Sequence, residues 1–291
     1  MTEILIYVII RKIKEWKGRT RIMVLTIGRL VDPKDPRVEE IQELLEANLK
    51  PEEVDPIETL RETITGKMST GEEVPPYLVH YATNNEGKVV AVLAGAVVPL
   101  VDEEGEESLT VGVLLGCYAV ILSKATGVAS DLLLALEKSA MEDAGERDIM
   151  VYGFLIEAQD KIEVASNRHG LKRLYVKKKN GSLTELPYKQ PPVDWNPETG
   201  DPADGAGVVP EHLMLKIISP KVVREIPGQN LMDMIRGMFY YNNYREEEYF
   251  NSKKAYRVHN RYVEAIEKEL TEFIGDKTVF FLSQKEKKVL Q

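Results

Sequence analysis

The sequence is poor in cysteine and in long apolar runs. Cys117 is the only cysteine among 291 residues, so no disulfide can form within the chain. This usage is typical of proteins in a reducing compartment. The longest apolar runs, 89–101 and 111–122, are well short of the ~20 residues that span a bilayer. We therefore expect a cytoplasmic protein that does not contact a membrane.

Several signatures of catalysis and phosphate binding are also absent. The chain has no G-x-G-x-x-G, no G-x-x-x-x-G-K-[ST], no H-E-x-x-H and no nucleophile elbow. The histidines have no spacing typical of metal ligands, and Cys117 lies among aliphatic residues, where packing is its expected role. We predict no metal site and expect all four histidines in the core or on the surface: His80, His169, His212 and His259.

Basic side chains are outnumbered, 38 against 47 acidic ones, which gives a net charge of −9. An acidic protein of this kind is a poor candidate for general nucleic-acid binding, because the phosphate backbone repels it. The acid excess is concentrated in the middle of the chain. It favours either a cationic substrate, such as an amine, or simply a solvated acidic surface.

The chain is organised around an uncharged stretch that leads into a helix. Residues 109–122 contain no charged side chain, which predicts a strand buried on both faces. Apolar residues then recur at helical spacing over 128–141. The turn between them, 123–127, precedes a helix N-terminus, whose unpaired N–H groups attract phosphate. Gly127 lets a ligand approach the backbone, and Lys124 adds a positive charge.

The other elements predict a mixed α/β fold with a central mixed sheet flanked by helices. Asp35-Pro36 and Asp55-Pro56 mark helix starts, the second as a capping box. Turn signals at 84–87 and 180–181 predict hairpins. The predicted helices are 36–49, 56–65, 127–144 and 159–168. The predicted strands are 23–27, 77–83, 88–100, 109–122, 148–156, 171–179 and 212–218, with a long loop over 190–210.

Both ends of the chain differ from its middle. Residues 1–22 are an N-terminal extension, either an added strand and helix, an interaction segment or the product of an upstream start codon. Residues 220–291 hold six of the 13 tyrosines and five of the six phenylalanines and show mainly helical spacing, with a strand over 278–282. We expect this C-terminal extension to pack against the main domain or against a second copy, as a homodimer.

Two stretches carry a resemblance to a known family. Lys124-Ala-Thr-Gly-Val-Ala129 resembles the coenzyme A signature of the GNAT acyltransferase superfamily, [QR]-x-x-G-x-[GA], with lysine in the first place. Residues 159–174 are similar to the family's N-x-x-A-x-x-x-Y-x-x-x-G-F pattern, with Gln159, Ser166 and Leu171 in place of Asn, Tyr and Phe. The resemblance implies a GNAT-like acyl-CoA N-acyltransferase fold over residues 23–219.

The resemblance also implies a co-substrate and a reaction. Acetyl-CoA would bind, and a primary amine of a small molecule or peptide would attack its thioester directly. The backbone of the central strand would pair with the pantetheine arm, and the turn and helix start would hold the pyrophosphate. The implied cofactor-binding residues are Ala119, Val120, Lys124, Ala125, Thr126, Gly127, Val128, Ala129, Ser130 and Gln159.

The catalytic residues of the family are only partly present. Members often carry a carboxylate base on the central strand, and this strand has none. Glu157, at the end of the next strand, is the best remaining base, with Tyr118, Tyr152 and His80 as weaker candidates. Ser166 stands where a tyrosine commonly protonates the leaving thiolate. The alternative is therefore a non-catalytic GNAT-like module that binds CoA or serves in regulation or assembly.

Overall fold

A computed structural model describes most of the chain. The described residues are 7–12, 22–49, 54–68, 71, 73–122, 128–158, 169–178, 180–192, 194–203, 207–218, 223–243, 247–282 and 286. The strands are β1 Tyr7–Lys12, β2 Ile22–Leu30, β3 Leu78–Thr83, β4 Val89–Val101, β5 Glu107–Ile121, β6 Met150–Ala158, β7 Lys172–Lys177, β8 Leu183–Glu185, β9 Lys189–Gln190, β10 Val209–Pro210, β11 His212–Ile217, β12 Glu225–Pro227 and β13 Thr278–Leu282. The helices are α1 Arg37–Glu46, α2 Ile57–Thr65, α3 Val128–Glu146, α4 Gly228–Asn242 and α5 Lys253–Ile274. The predicted mixed α/β class, with helices flanking a sheet, is confirmed.

The chain forms two compact units. The first comprises Met1–Val97 and Gly116–Glu146, and the second comprises Val98–Leu115 and Arg147–Gln291. In the first unit, β1, β2, β3 and β4 pair antiparallel in that order. Helix α3 packs on β2 and β3. Its Val128 and Leu132 lie in a buried apolar cluster with Leu25 and Ile27. Burial of such aliphatic faces is what holds a helix on a sheet.

The second unit has its own antiparallel strand order, β6, β11, β7, β13 and β12, and β8 extends from β7 as a hairpin. The predicted turn at 180–181 is confirmed: Gly181 has φ +86° and donates its N–H to the Lys178 carbonyl at 2.9 Å. Glycine takes this left-handed conformation without a steric penalty. The predicted helix 159–168 lies outside the described residues.

The two predicted helix starts have different outcomes. Asp35 lies just before α1, whose N-cap position is Pro36, and its Oδ1 accepts the Arg37 N–H at 2.9 Å. The capping box at Asp55 is wrong: α2 has no side-chain cap. Asp55 Oδ2 instead accepts the Tyr77 hydroxyl at 3.4 Å, and the Asp55 carbonyl accepts Gln42 Nε2 at 3.0 Å. Asp55 therefore takes part in contacts with residues that are distant in sequence.

The central strand is less enclosed than predicted. Val113, Leu114 and Leu115 are buried, as expected for a strand covered on both faces. Leu109, however, is 86% exposed, and the side chains of the C-terminal end, Ile121 and Leu122, are about half exposed. Cys117 is half-buried. The prediction of burial over 109–122 is thus wrong at both ends, since an uncharged sequence does not reveal where a covering layer stops.

One strand of the tail, β12, was not predicted, because the segment shows mainly helical spacing. Within 220–291, α4 and α5 confirm the mainly helical prediction, and β13 confirms the strand at 278–282. β13 pairs with β7 through Phe281↔Leu174, and β12 pairs with β13. The tail therefore completes the sheet of the second unit. Its aromatic side chains also pack on the long loop, where Trp195 is 1% exposed and lies edge-on to His259 at 4.3 Å between ring centroids.

Candidate active site

The candidate site is centred on Glu157, near the end of β6. This strand lies in the core of the second unit, where its residues Val151, Phe154 and Leu155 are buried. β11 runs antiparallel beside it, with Leu213 directly opposite Glu157. The register places the carboxyl on a face otherwise formed by aliphatic side chains. The fold therefore carries an ionisable group to the end of an apolar strand.

Tyr188 is the hydrogen-bond partner of Glu157. Its hydroxyl donates to Glu157 Oε1, and the tyrosine side chain is buried. The segment that carries it is tied to the sheet, since Leu186 donates its N–H to the Leu174 carbonyl at 3.0 Å. Sequence reasoning did not find Tyr188, because it lies 31 residues from Glu157 in a segment without a motif.

The environment changes the acidity of this carboxyl. Burial raises the pKa of Glu157 to about 7, the Tyr188 hydrogen bond opposes the rise, and the charge of Glu211 adds to it. Burial likewise raises the pKa of Tyr188 well above 10, and the neighbouring Glu157 and Glu211 raise it further. Near pH 7 the carboxyl exchanges protons readily while the phenol stays neutral. This is the behaviour required of a general base.

The other predicted site residues are distributed as follows. Ala119 is exposed and Val120 is buried, both on β5, and Tyr118 lies on β5 with its side chain outside the described part. Val128, Ala129 and Ser130 open α3, with Val128 fully buried. These residues belong to the first unit and Glu157 to the second. Lys124, Ala125, Thr126, Gly127, Gln159 and Ser166 lie outside the described residues.

The start of α3 is suited in part to phosphate. The helix runs for 19 residues from Val128, directly after the predicted turn, so its first N–H groups lack intrahelical acceptors. Val128 anchors the first turn in the core, and Ala129 adds little side-chain bulk. Asp131 also lies in this first turn, and its negative charge opposes phosphate binding. The backbone therefore fits the group better than the local charge does.

The histidines have structural partners. His212 Nδ1 lies 2.6 Å from Glu185 Oε1, and Arg173 donates to the same oxygen at 3.0 Å. His259 is enclosed by aromatic rings. Within the described residues, no three His, Cys, Asp or Glu side chains form a group that could hold a metal ion. No helix of the described part is long and apolar enough to cross a membrane.

His80, a weaker base candidate, is a core residue. It is 5% exposed and its Nε2 lies 3.0 Å from Ser139 Oγ of α3. Burial, aided by the charge of Arg29, lowers the pKa of His80 to about 4. The ring is therefore neutral at physiological pH. It links β3 to α3 and is not poised as a base.

His80 leads to a prediction about stability and pH. Because its pKa is about 6.5 unfolded and about 4 folded, protonation favours unfolding, and stability is lost as pH falls from 6.5 toward 4. Between pH 7 and pH 5 this group should cost about 2 kcal/mol. Urea unfolding of wild type and His80→Gln at both pH values measures the difference. An equal loss in both proteins would contradict the burial of a neutral histidine.

Comparisons with known proteins concern the fold. No family model and no curated protein matches the sequence. The chain is similar to Arabidopsis thaliana NAA60 in complex with acetyl-CoA, with TM-score 0.38 and 9% identity over 67% of this chain and 98% of that one. A GNAT-family acetyltransferase from Staphylococcus aureus gives TM-score 0.37 and 11% identity over 67% of this chain and 99% of that one. An aminoglycoside 6'-N-acetyltransferase complexed with coenzyme A gives TM-score 0.35 and 14% identity over 68% of this chain and 99% of that one.

Two of these neighbours are acetyltransferases by name, and one of them is of the GNAT family. Identities of 9–14% and TM-scores below 0.4 carry no ligand, substrate or residue role over to this chain.

Proposed function

We propose that the protein is an N-acyltransferase that moves an acetyl group from acetyl-CoA to a primary amine of a small molecule or peptide. The observation that carries the proposal is Glu157, an apolar-strand carboxyl whose pKa is raised by burial to about 7. A base of that strength accepts a proton from an ammonium group or from an attacking amine near neutral pH. The motif Lys124–Ala129 supports acetyl-CoA as the acyl donor.

The start of α3, two residues of β5 and Glu157 have separate roles in this proposal. When bound, acetyl-CoA supplies an activated acyl thioester. The N–H groups at the start of α3 bind its phosphates, and the backbone of Ala119 and Val120 orients its pantetheine arm. Glu157 takes the proton that the amine loses as its nitrogen bonds to the acyl carbon and the C–S bond breaks. Proximity of the reactants supplies much of the rate.

Ser166 and Tyr118 keep their sequence-derived roles as proposals. Ser166 stands in the place of a thiolate-protonating tyrosine, and a serine hydroxyl is shorter and less acidic. The thiolate can take its proton from solvent instead. Homodimerisation through 220–291 is likewise a proposal. Many described aromatic side chains of that segment pack within their own chain, but Tyr240 and Tyr249 are 55% and 42% exposed.

Acetyl-CoA is expected to stabilise the folded protein. A ligand at 100 times its Kd adds about 2.7 kcal/mol to the free energy of unfolding, so the melting temperature should rise. Gly127→Glu should abolish the rise, because it places a side chain and a negative charge against the phosphates. Thermal melts with and without millimolar acetyl-CoA measure both effects.

The control is Gly145→Glu, which lies at an exposed position near the end of α3 where an added Cβ meets no atom. This variant should keep the wild-type response to acetyl-CoA. A wild-type protein whose melting temperature ignores acetyl-CoA, yet rises with another nucleotide, would contradict the proposed acyl donor. Acetyl-CoA binding without transfer to any amine would favour the non-catalytic module instead.

A further inference from the structure

Tyr188 is fixed at three points around its contact with Glu157. Its own N–H donates to the Leu186 carbonyl at 2.8 Å, and its carbonyl accepts the Glu211 N–H at 3.4 Å. Its ring packs at 6.4 Å from the ring of Phe239 on α4, and the side chain is 2% exposed. A phenol held in this way has little freedom to turn its hydroxyl away from the carboxyl.

We propose that Tyr188 is a positioning residue, whose hydroxyl holds the Glu157 carboxyl in one orientation, and that it acts on the protonation of that carboxyl together with Glu211, whose N–H binds the Tyr188 carbonyl. The inference rests on the proposed function, since it concerns the same base. Holding the carboxyl by one oxygen, Oε1, leaves the second oxygen to meet a proton donor. Tyr188 does not itself touch the reacting atoms in this account.

The two neighbours act on Glu157 in opposite directions. A hydrogen bond donated by Tyr188 stabilises the ionised carboxylate and lowers the pKa, whereas the negative charge of Glu211 destabilises it and raises the pKa. On β11, His212 and Lys216 lie opposite Ala158 and Phe154. They therefore occupy the other face of the sheet from Glu157. Phe239, on α4, contributes no charge.

The pH profile of kcat/KM tests the inference. Tyr188→Phe removes only the hydroxyl, so the acidic limb of the profile should move up by about one pH unit, a tenfold loss of activity on that limb. Glu211→Gln should move the same limb downward. Tyr175→Phe is the matched control, a fully buried tyrosine of β7, which is separated from β6 by β11. It should leave the profile in place.

A spectroscopic titration separates this inference from the proposed function. In protein labelled with ¹³C at glutamate carboxyls, the Glu157 signal is assigned by its loss in Glu157→Gln, and its midpoint is followed with pH. An upward shift in Tyr188→Phe and a downward shift in Glu211→Gln support the inference. If the midpoint of the Glu157 signal shifts but the pH profile of kcat/KM does not, Glu157 is not the base. The effect of Tyr188 on the Glu157 carboxyl would still hold.

An unchanged Glu157 midpoint in folded Tyr188→Phe overturns the inference. Because Glu211 is partly exposed, Glu211→Gln is expected to fold even if Tyr188→Phe does not. A midpoint that stays in place or rises in Glu211→Gln would also overturn it. A profile shift of the same size in Tyr175→Phe would show that any buried hydroxyl has this effect, and the specific role of Tyr188 would be lost.

Discussion

Glu157→Gln is expected to lower kcat by about 10²–10⁴-fold, the usual contribution of a general base. Glutamine keeps the size of the side chain and can still accept the Tyr188 hydrogen bond, but it cannot take a proton from the amine. The loss should fall on kcat, because a general base acts in the chemical step and not in binding of the acyl donor. Release of the CoA thiol, followed with a thiol reagent against a panel of amines, measures it.

The control for this loss is Glu264→Gln, which removes an exposed carboxylate from α5 of the same unit. It should leave kcat unchanged, and the affinity for acetyl-CoA should be equal in all three proteins. Wild-type activity should also fall tenfold for each pH unit below about 7, as the raised pKa of Glu157 implies. Equal rates for wild type and Glu157→Gln would remove Glu157 from the mechanism.

Trp195→Ala is expected to cost about 3–5 kcal/mol of folding stability, as for other large aromatic residues truncated in a core. The indole is 1% exposed and meets His259 and Tyr262 edge-on. Its backbone carbonyl accepts the Tyr249 hydroxyl at 3.0 Å. The side chain thus fixes the loop 190–210 on α5, and its loss leaves a cavity.

The same interface is closely packed at Gly200. This glycine has φ +79°, and a Cβ there would lie 1.8 Å from the Ala255 carbonyl oxygen. The loop and α5 therefore meet backbone to backbone beside the tryptophan. Chemical unfolding of wild type, Trp195→Ala and the exposed-site control Tyr240→Ala measures the effect. The control should change stability by no more than about 0.5 kcal/mol, and a similar small change in Trp195→Ala would contradict the anchoring role.

Local signals in the sequence predicted the parts of the fold that local physics determines. The hairpin at 84–87 was predicted from its turn residues and is confirmed, because Asn84 Oδ1 accepts the N–H groups of Glu86 and Lys88 at 3.0 Å each. The start of α3 at Val128 followed from apolar spacing. The capping box at Asp55 was wrong, since the N-cap position of α2 is Pro56, and Asp55 accepts a hydrogen bond from Tyr77, which is distant in sequence.

The candidate site divides in the same way. Glu157 was chosen as a candidate base from its place at the end of an apolar strand, where it is the best remaining carboxyl, and its role stays a prediction. Tyr188 and Glu211 were not predicted, because their local sequence carries no signal for a contact with Glu157 that forms only in the folded chain. Trp195 was missed for a related reason: the Pro, Gly and Asp around it predict only a loop, whereas its burial depends on α5.

The most direct measurement of the central claim is mass spectrometry of amine products formed from acetyl-CoA labelled with ¹³C in the acetyl group. We expect wild type to produce amines that carry the labelled acetyl group on nitrogen, with CoA released in equal amount. Glu157→Gln should form the same product far more slowly. Wild-type protein that binds acetyl-CoA but yields no labelled amine and no free CoA across the panel would contradict the assignment as an N-acyltransferase.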